Sequence, residues 1–315
     1  MPTVDTIRSV TVEINGTVYT LNTSDGTTYT AQGVASADSS HIQPGGYYPA
    51  TVTATYETQA QTVVNDQTAG ALGQACRLVV KEKIKPVVRV IYPTAGQYIT
   101  SAADQRVEIN VLDNVGQASG FSGVDLSTLA VAIGGMTIDV DECEVTPITG
   151  GYRVEFTPSA SQALPDGAYT LSASVSDYDG NASDEVAVSF TIDTTPPELS
   201  VSSPVEGLKT YSRTIAVSGV TSDVTTAPVT VKIYLNGTEV ATPTIAQDGS
   251  FSEEITFAVK GDQVIEVVAT DNAGKTSTVT RNIFFSDAVP VIESVTLVPN
   301  PADAGATYTI TVVAH

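Results

Sequence analysis

The chain has 315 residues and a net charge of −21, because 35 acidic side chains face only 14 basic ones. A surface this acidic repels phosphate backbones and anionic lipids, so we expect neither nucleic acid nor a membrane as a partner. The two cysteines, Cys76 and Cys143, are too few for a disulfide framework or a zinc site, and we expect both to be apolar thiols in strand-like segments.

The first element along the chain is a β-hairpin that the sequence repeats. It is written VEINGTVYTL at residues 12–21, VAIGGMTIDV at 131–140 and IYLNGTEVAT at 233–242. Two alternating apolar runs joined by Asn-Gly or Gly-Gly predict a hairpin with a two-residue turn of positive φ. The spacing of the copies, about 100 residues, is the size of one β-sandwich domain, so the repetition predicts tandem sandwiches.

Further landmarks set the predicted boundaries. A proline precedes and another follows a short strand-like run in KPVVRVIYP, PPELSVSSP and VPVIESVTLVP, as is typical of a first strand. The predicted fold is all-β, with one short helical turn near Val124 as the best helical candidate. We predict three sandwiches, at residues 1–84 (the most divergent), 85–195 and 196–286. Residues 287–315 are predicted to form a short β segment, either a partial fourth unit or an assembly tail.

Three motifs then occur in order, and together they identify a family resemblance. They are DNVGQASGFSGVD from Asp113, LPDGAYTLSASVSDYDGNAS from Leu164, and DTTPP at Asp193. In combination they resemble bacterial and phage immunoglobulin-like (Ig-like) domains over roughly residues 85–286, with a looser match in the N-terminal region. The resemblance implies Ig-like sandwiches in tandem. Such arrays occur on bacterial surface proteins, in secreted polysaccharide enzymes and on phage particles.

The resemblance implies a structural rather than a chemical function. The chain looks like tail- or baseplate-associated proteins of phages that infect Gram-positive bacteria. We therefore expect a virion component, made in the host cytoplasm and acting outside it, that serves as a rod-like spacer and contacts the bacterial envelope. The absence of a basic segment followed by an apolar one near Met1 favours this expectation. The alternatives are a fragment of a bacterial cell-surface adhesin and an accessory module of a secreted polysaccharide-active enzyme.

The expected partners follow from the same hypothesis. The C-terminal segment alternates cleanly but has too few strands for a sandwich of its own. We expect it to pair with other virion or surface proteins, or with copies of this chain in a homo-oligomer. Tyr47, Tyr48 and Tyr178 are candidate exposed contacts for a cell-surface glycan or protein.

The sequence predicts no catalytic residue and no organic cofactor. His41 lies in a polar segment, where a solvated loop histidine is the expected role. Cys143 is flanked by carboxylates in DECEV, which would raise the pKa of its thiol and make it a poor nucleophile. Motifs of serine hydrolases, nucleotide-binding loops and zinc proteases are missing from the sequence.

Calcium is the one ligand that the sequence suggests. Asp177 and Asp179 in DYDGN place two carboxylates two residues apart, and Asp113 and Asp193 could approach them. The alternative is that these aspartates are ordinary turn residues that bond to their own backbone. The equivalent DNAGK segment has Lys275 in place of the asparagine, which indicates that the site is not repeated.

Overall fold

A computed structural model describes residues 5–113, 120–288 and 291–314 of the chain. It is almost entirely β-sheet, and the predicted all-β fold is confirmed. The chain divides into two compact units. The first comprises Met1–Gln97, Ala103–Leu164 and Ala168–Thr191, and the second comprises Tyr98–Ala102, Pro165–Gly167 and Ile192–His315. The predicted boundaries at 84, 195 and 286 stay predictions.

The N-terminal region forms one six-stranded antiparallel sheet. Its strands are β1 (Ile7–Ile14), β2 (Thr17–Thr23), β3 (Tyr29–Thr30), β4 (Tyr48–Tyr56), β5 (Gln61–Val64) and β6 (Arg77–Leu78). They are ordered β3-β2-β1-β4-β5, and β6 pairs with the start of β4. The short helix α1 (Ala71–Ala75) precedes β6. Few apolar side chains are buried here, so this region has a small core.

The second region is a two-sheet sandwich. Its strands are β7 (Val87–Tyr92), β8 (Tyr98–Ile99), β9 (Val107–Leu112), β10 (Val124–Ile133), β11 (Met136–Ile138), β12 (Glu144–Ile148), β13 (Gly151–Phe156), β14 (Gly167–Asp177) and β15 (Val186–Ile192). Within the first unit, β12-β13-β9-β7 form one sheet and β11-β10-β14-β15 form the other. Alternate residues of β9 and β14 are buried, as expected for strands with one face towards a core.

The prediction of a short helical turn near Val124 is wrong, because these residues belong to β10. The register between β10 and β14 shifts between Asp125 and Ala130, which marks a β-bulge. The Asp125 carboxylate accepts hydrogen bonds from the N–H and the hydroxyl of Ser127. The small polar residues that suggested a turn therefore bond to one another within the bulge, while the strand continues on both sides of it.

The third region is also a two-sheet sandwich, with a core of large apolar side chains. Its strands are β16 (Glu198–Ser203), β17 (Lys209–Thr210), β18 (Thr214–Ser222), β19 (Thr230–Leu235), β20 (Thr238–Ala241), β21 (Ser250–Thr256), β22 (Gly261–Thr270) and β23 (Thr276–Phe285). The two sheets are ordered β16-β18-β21 and β17-β23-β22-β19-β20. Phe257 and Phe285 stack between them with ring centroids 5.2 Å apart.

The predicted hairpins are present in all three regions. Their turns have positive φ at both central residues, which is the geometry that Asn-Gly and Gly-Gly favour. The central pairs are Asn15-Gly16, Gly134-Gly135 and Asn236-Gly237. The residues that flank these turns pair directly in the sheets.

The C-terminal segment forms an isolated hairpin. Strands β24 (Ile292–Val298) and β25 (Thr309–Ala314) pair with each other and, within the described residues, with no other strand. Every residue of both strands is exposed. Several of these residues are large and apolar, so both faces of the hairpin lack a partner in the described chain. Separately, none of the described helices has the length and apolar character needed to cross a membrane.

Candidate metal centre

The tight turn that follows β14 contains both residues of the sequence-predicted calcium site. Asp177 is the last residue of β14, and its N–H donates to the carbonyl of Asn181 at 3.1 Å. The Asp177 Oδ1 atom accepts from the Asn181 N–H at 2.8 Å. Asp177 therefore makes the backbone bonds that the turn interpretation predicts, and its second carboxylate oxygen, Oδ2, extends away from them to the Asn181 side-chain amide at 2.7 Å.

Asp177 belongs to a cluster of three acids, which we name the first cluster: Glu82, Asp113 and Asp177. One carboxylate oxygen from each lies within 4.8 Å of the others. Asp113 and Asp177 are only 3% and 2% exposed, and Glu82 is half-buried. Asp113 follows β9 and Asp177 ends β14, while Glu82 lies in the segment that precedes β7.

One oxygen of the first cluster is both buried and unsatisfied. Asp113 Oδ2 accepts from the Gly123 N–H at 2.6 Å. Asp113 Oδ1 is buried and has no hydrogen-bond partner among the described residues. A buried carboxylate oxygen without a partner is costly unless a cation or a proton compensates it. One residue of the first cluster therefore has a buried carboxylate oxygen that no described group satisfies.

The electrostatics of the first cluster show the cost of bringing three acids together. Burial raises the pKa of Asp113 to about 6, opposed by the Gly123 N–H and reinforced by the charge of Asp177. Burial also raises the pKa of Glu82 to about 7, and the neighbouring Asp177 carboxyl contributes to the shift. A divalent cation would relieve this repulsion, since an opposite charge favours the ionised carboxylates.

Asp179, the second predicted ligand, lies outside the first cluster. Its Oδ2 accepts from the main-chain N–H of Glu82 at 2.9 Å, and its carbonyl accepts from the Lys81 ammonium at 3.0 Å. The Asn181 side-chain amide donates to Glu82 Oε1 at 3.1 Å. Asp179 and Asn181 thus hold the segment that contains Glu82. Glu82 was not among the predicted ligands, because a single acid in a connecting segment has no recognisable local signature.

A second cluster of the same kind lies in the second unit and consists of Asp193, Asp223 and Asp271, again with oxygens within 4.8 Å. Asp193 is fully buried, Asp271 is 6% exposed and Asp223 is half-buried. From the sequence, Asp193 could approach Asp177, and Lys275 indicated that the site is not repeated. Whether either cluster binds a metal stays a prediction. Asp193 joins Asp271, and Lys275 contributes its main-chain N–H to Asp271 Oδ1 at 2.9 Å.

The two clusters are related by position in the repeat. Glu82 lies five residues before Val87, the first residue of β7, and Asp193 lies five residues before Glu198, the first residue of β16. Each cluster therefore connects the segment that enters a sandwich with the loops at one end of that sandwich.

The residues considered for catalysis occupy structural positions. His41 is exposed, as expected for a solvated histidine, and it stacks on Tyr178 with ring centroids 4.3 Å apart and planes 7° from parallel. Burial raises the pKa of the Cys143 thiol, with contributions from Glu142 and Asp139, which agrees with the expectation of a poor nucleophile. Cys76 is buried.

The predicted tyrosine contacts differ from one another. Tyr48 is buried, and its hydroxyl donates to Ser36 Oγ at 3.1 Å, so the expectation of an exposed contact is wrong there. The Tyr47 hydroxyl donates to Asp66 at 3.0 Å, and the Arg77 guanidinium lies 4.7 Å from the centre of its ring. Tyr178 is about half exposed but is covered on one face by His41.

The N-terminal sheet borders an open cleft of about 440 Å³. Apolar and aromatic side chains dominate its lining, including Val12, Ile14, Tyr19 and Leu21. Among the residues that line it, none is Asp, Glu, His, Lys, Arg or Cys. The polar groups of its lining are amides, hydroxyls and phenols, such as those of Gln32, Ser36 and Tyr19.

Two family matches cover adjacent parts of the chain. Residues 107–194 match the bacterial Ig-like domain, and residues 197–286 match domain B of glucodextranase. A relative among curated proteins, bacillopeptidase F of Bacillus subtilis (strain 168), is 34% identical over 129 residues. That alignment covers 41% of this chain and 8% of the relative, so the chain spans only a small part of the relative's length.

Solved structures with similar folds are also β-domain arrays. Fibronectin(III)-like modules of Clostridium thermocellum CbhA are 17% identical, with a TM-score of 0.36 over 64% of this chain and 94% of theirs. A tetra-tandem repeat from the extending region of a large adhesion protein is 17% identical, with a TM-score of 0.35 over 98% of this chain and 80% of that one. The second and third regions are Ig-like β-sandwiches in tandem, and the bacterial Ig-like match covers residues 107–194.

Proposed function

We propose that this chain is a non-catalytic spacer module in which Ca²⁺, bound by the first cluster, fixes the segment before β7 onto the end of the following sandwich. The observation on which this proposal depends is the buried, unpartnered Asp113 Oδ1 among three converging carboxylates. Without a cation, Glu82 and the residues around it are held by hydrogen bonds and by the exposed Lys85–Asp184 ion pair. With one, the segment acquires an ionic link to two different loops.

Calcium suits this cluster better than other common metals. Its three protein ligands are all carboxylate oxygens, and hard oxygen ligands are what Ca²⁺ and Mg²⁺ prefer. Zinc and copper favour nitrogen and sulfur ligands. The ligands come from a connecting segment and two loops, and Ca²⁺ tolerates the irregular geometry that such a set produces, whereas Mg²⁺ demands a near-ideal octahedron.

The non-catalytic assignment is supported by the surroundings of the candidate chemical groups. His41 is engaged in a stack, and the thiol of Cys143 has a raised pKa. The cleft of the N-terminal sheet is lined without acids or bases. A module of this kind positions other domains or surfaces, and contact with a glycan or protein would come from its loops.

Two settings fit a calcium-dependent spacer. The matches to glucodextranase domain B and bacillopeptidase F favour an accessory module of a secreted enzyme or a fragment of a cell-surface adhesin. The resemblance to phage tail- and baseplate-associated Ig-like proteins favours a virion component that contacts the envelope of a Gram-positive bacterium. In the second setting the exposed β24–β25 hairpin would join the chain to other virion proteins.

Limited proteolysis tests the proposal, because the segment before β7 contains Lys81 and Lys83 as trypsin sites, whereas the bond after Lys85 precedes Pro86 and resists trypsin. In the full chain, 1 mM Ca²⁺ should slow cleavage at these lysines at least fivefold relative to the rate in a chelator. A fivefold change corresponds to an increase of ~1 kcal/mol in the free energy of local opening. The effect should disappear in Asp113→Asn.

The matched control is Asp141→Asn, which removes one exposed negative charge from the same sandwich outside the cluster. This variant should keep the calcium protection. Equal cleavage rates with Ca²⁺ and chelator in the unmodified chain would disprove the proposal.

A further inference from the structure

The second cluster has its own evidence for a ligand, which is independent of the first cluster. Asp271 Oδ1 accepts from the Lys275 N–H at 2.9 Å, while Asp271 Oδ2 is buried and has no partner among the described residues. The residue is 94% buried. A buried carboxylate oxygen without a partner is costly unless a cation, a proton or a water molecule compensates it.

Hydrogen bonds orient the other two carboxylates of the second cluster. Asp223 Oδ1 accepts from the N–H groups of Thr225 and Thr226 at 2.8 and 2.6 Å. Asp193 Oδ2 accepts from the Thr226 hydroxyl, and its Oδ1 accepts from the Thr195 N–H at 3.3 Å. The donors are therefore main-chain amides and one hydroxyl, which orient the carboxylates without neutralising them.

No basic side chain balances this charge in the described part of the chain. The ion pairs there are Lys85–Asp184, Arg153–Glu108, Lys232–Glu239 and Lys260–Asp287. None of them includes a member of the second cluster. Three acids that converge within 4.8 Å with two of them buried would repel one another strongly as anions.

We infer that Asp193, Asp223 and Asp271 bind a second divalent cation, Ca²⁺, which ties the segment before β16 to the loops that follow β18 and β22. The ligand atoms again belong to a connecting segment and two loops, the irregular arrangement for which Ca²⁺ is better suited than Mg²⁺. Asp193 Oδ2 keeps its bond to Thr226, so the site needs no rearrangement of the buried aspartate to receive the ion.

Calorimetric titration of the chelator-stripped full chain with CaCl₂ tests this inference. The expected stoichiometry is two Ca²⁺ per chain, one bound by each cluster. Asp271→Asn should remove one equivalent, because asparagine keeps an acceptor for the Lys275 N–H but loses the charge. Asp262→Asn, an exposed acid of the same sandwich, should bind as the unmodified chain does.

The variants separate this inference from the proposed function. If the unmodified chain binds one Ca²⁺ that Asp271→Asn removes and Asp113→Asn does not, the second site stands and the first one fails. Should Asp271→Asn not fold, as judged by circular dichroism, Asp223→Asn serves as the second variant, since Asp223 is only half-buried. Unchanged stoichiometry in the folded variant, or binding of MgCl₂ as tight as that of CaCl₂, would overturn the inference.

Discussion

Asp177 and Asp271 occupy the same position in two tight turns that are 94 residues apart in the sequence. Asp177 is the last residue of β14 and Asp271 directly follows β22. Each accepts a hydrogen bond from the main-chain N–H four residues later, at 2.8 Å from Asn181 and 2.9 Å from Lys275. Each also donates its own N–H to the carbonyl of that residue at 3.1 Å. The turn is therefore defined by the backbone, and the fourth residue after the aspartate can vary.

This relationship predicts that the Lys275 side chain is dispensable. Lys275→Ala keeps the N–H that bonds to Asp271, so the free energy of unfolding should change by less than about 0.5 kcal/mol. Asp271→Ala removes the acceptor and should cost about 1.5–3 kcal/mol in the presence of Ca²⁺. Chemical denaturation monitored by hydrogen exchange of β22 measures both. A large loss in Lys275→Ala would show that the ammonium balances the second cluster.

The stability of the metal-free second region should fall as the pH rises. Glu82 and Asp113 have pKa values of about 7 and about 6 in the folded chain, raised from 4.5 and 3.8. The folded state therefore binds protons more tightly than the unfolded state, and its stability is highest below pH 4 and is lost as the pH rises through 6 and 7. Denaturation in chelator between pH 4 and 8 measures the decline.

Calcium should reverse this dependence, since the ion competes with protons for the same carboxylates. At pH 8, excess Ca²⁺ should restore stability, whereas at pH 5 it should add little. A metal-free chain that becomes more stable between pH 5 and pH 8 would contradict this prediction. Asp113→Asn, which removes one of the two shifted groups, should flatten the profile in chelator.

The sequence predicted the architecture better than the clusters, and the reason is physical. Strand alternation and two-residue turns depend on neighbours in sequence, so the hairpins at Gly16, Gly135 and Gly237 could be located in advance. The metal clusters combine residues far apart in sequence, and their members are single acids on otherwise ordinary loops. Asp177 was found because its turn is recognisable, whereas Glu82 and Asp223 have no local signature.

The same distinction explains the failure at Val124. Its segment has the small polar residues of a turn, and the bulge near Asp125 satisfies them locally while the strand continues. Tertiary pairing with β14 overrides the local preference. For Lys275, the sequence suggested a role for the ammonium, but only its main chain participates in the turn.

The third region should depend on its aromatic core. Phe257 is fully buried and stacks on Phe285, so Phe257→Ala should destabilise this region by about 3–5 kcal/mol through lost burial and a cavity. Val224→Ala is the matched control, because Val224 is fully exposed and should change stability by less than about 0.5 kcal/mol. Differential scanning calorimetry of both variants gives the comparison. A loss below about 1 kcal/mol for Phe257→Ala would contradict the packing described here.

The C-terminal hairpin of β24 and β25 should join copies of this chain. A two-stranded hairpin exposed on both faces is marginal in water. In the described residues, no strand pairs with the outer edge of β25, whereas β9 pairs with β13 and β18 pairs with β21 in the sandwiches. We expect a strand of another copy of the chain to add to this edge.

Light scattering coupled to size-exclusion chromatography should then find oligomers of the full chain and monomers after removal of residues 289–315. Replacing Thr311 with proline, which removes one backbone donor in the middle of β25, should weaken the oligomer without removing the segment. A full chain that stays monomeric at about 10⁻⁴ M, a concentration at which a weak interface would form, would show that the edge does not join copies of this chain.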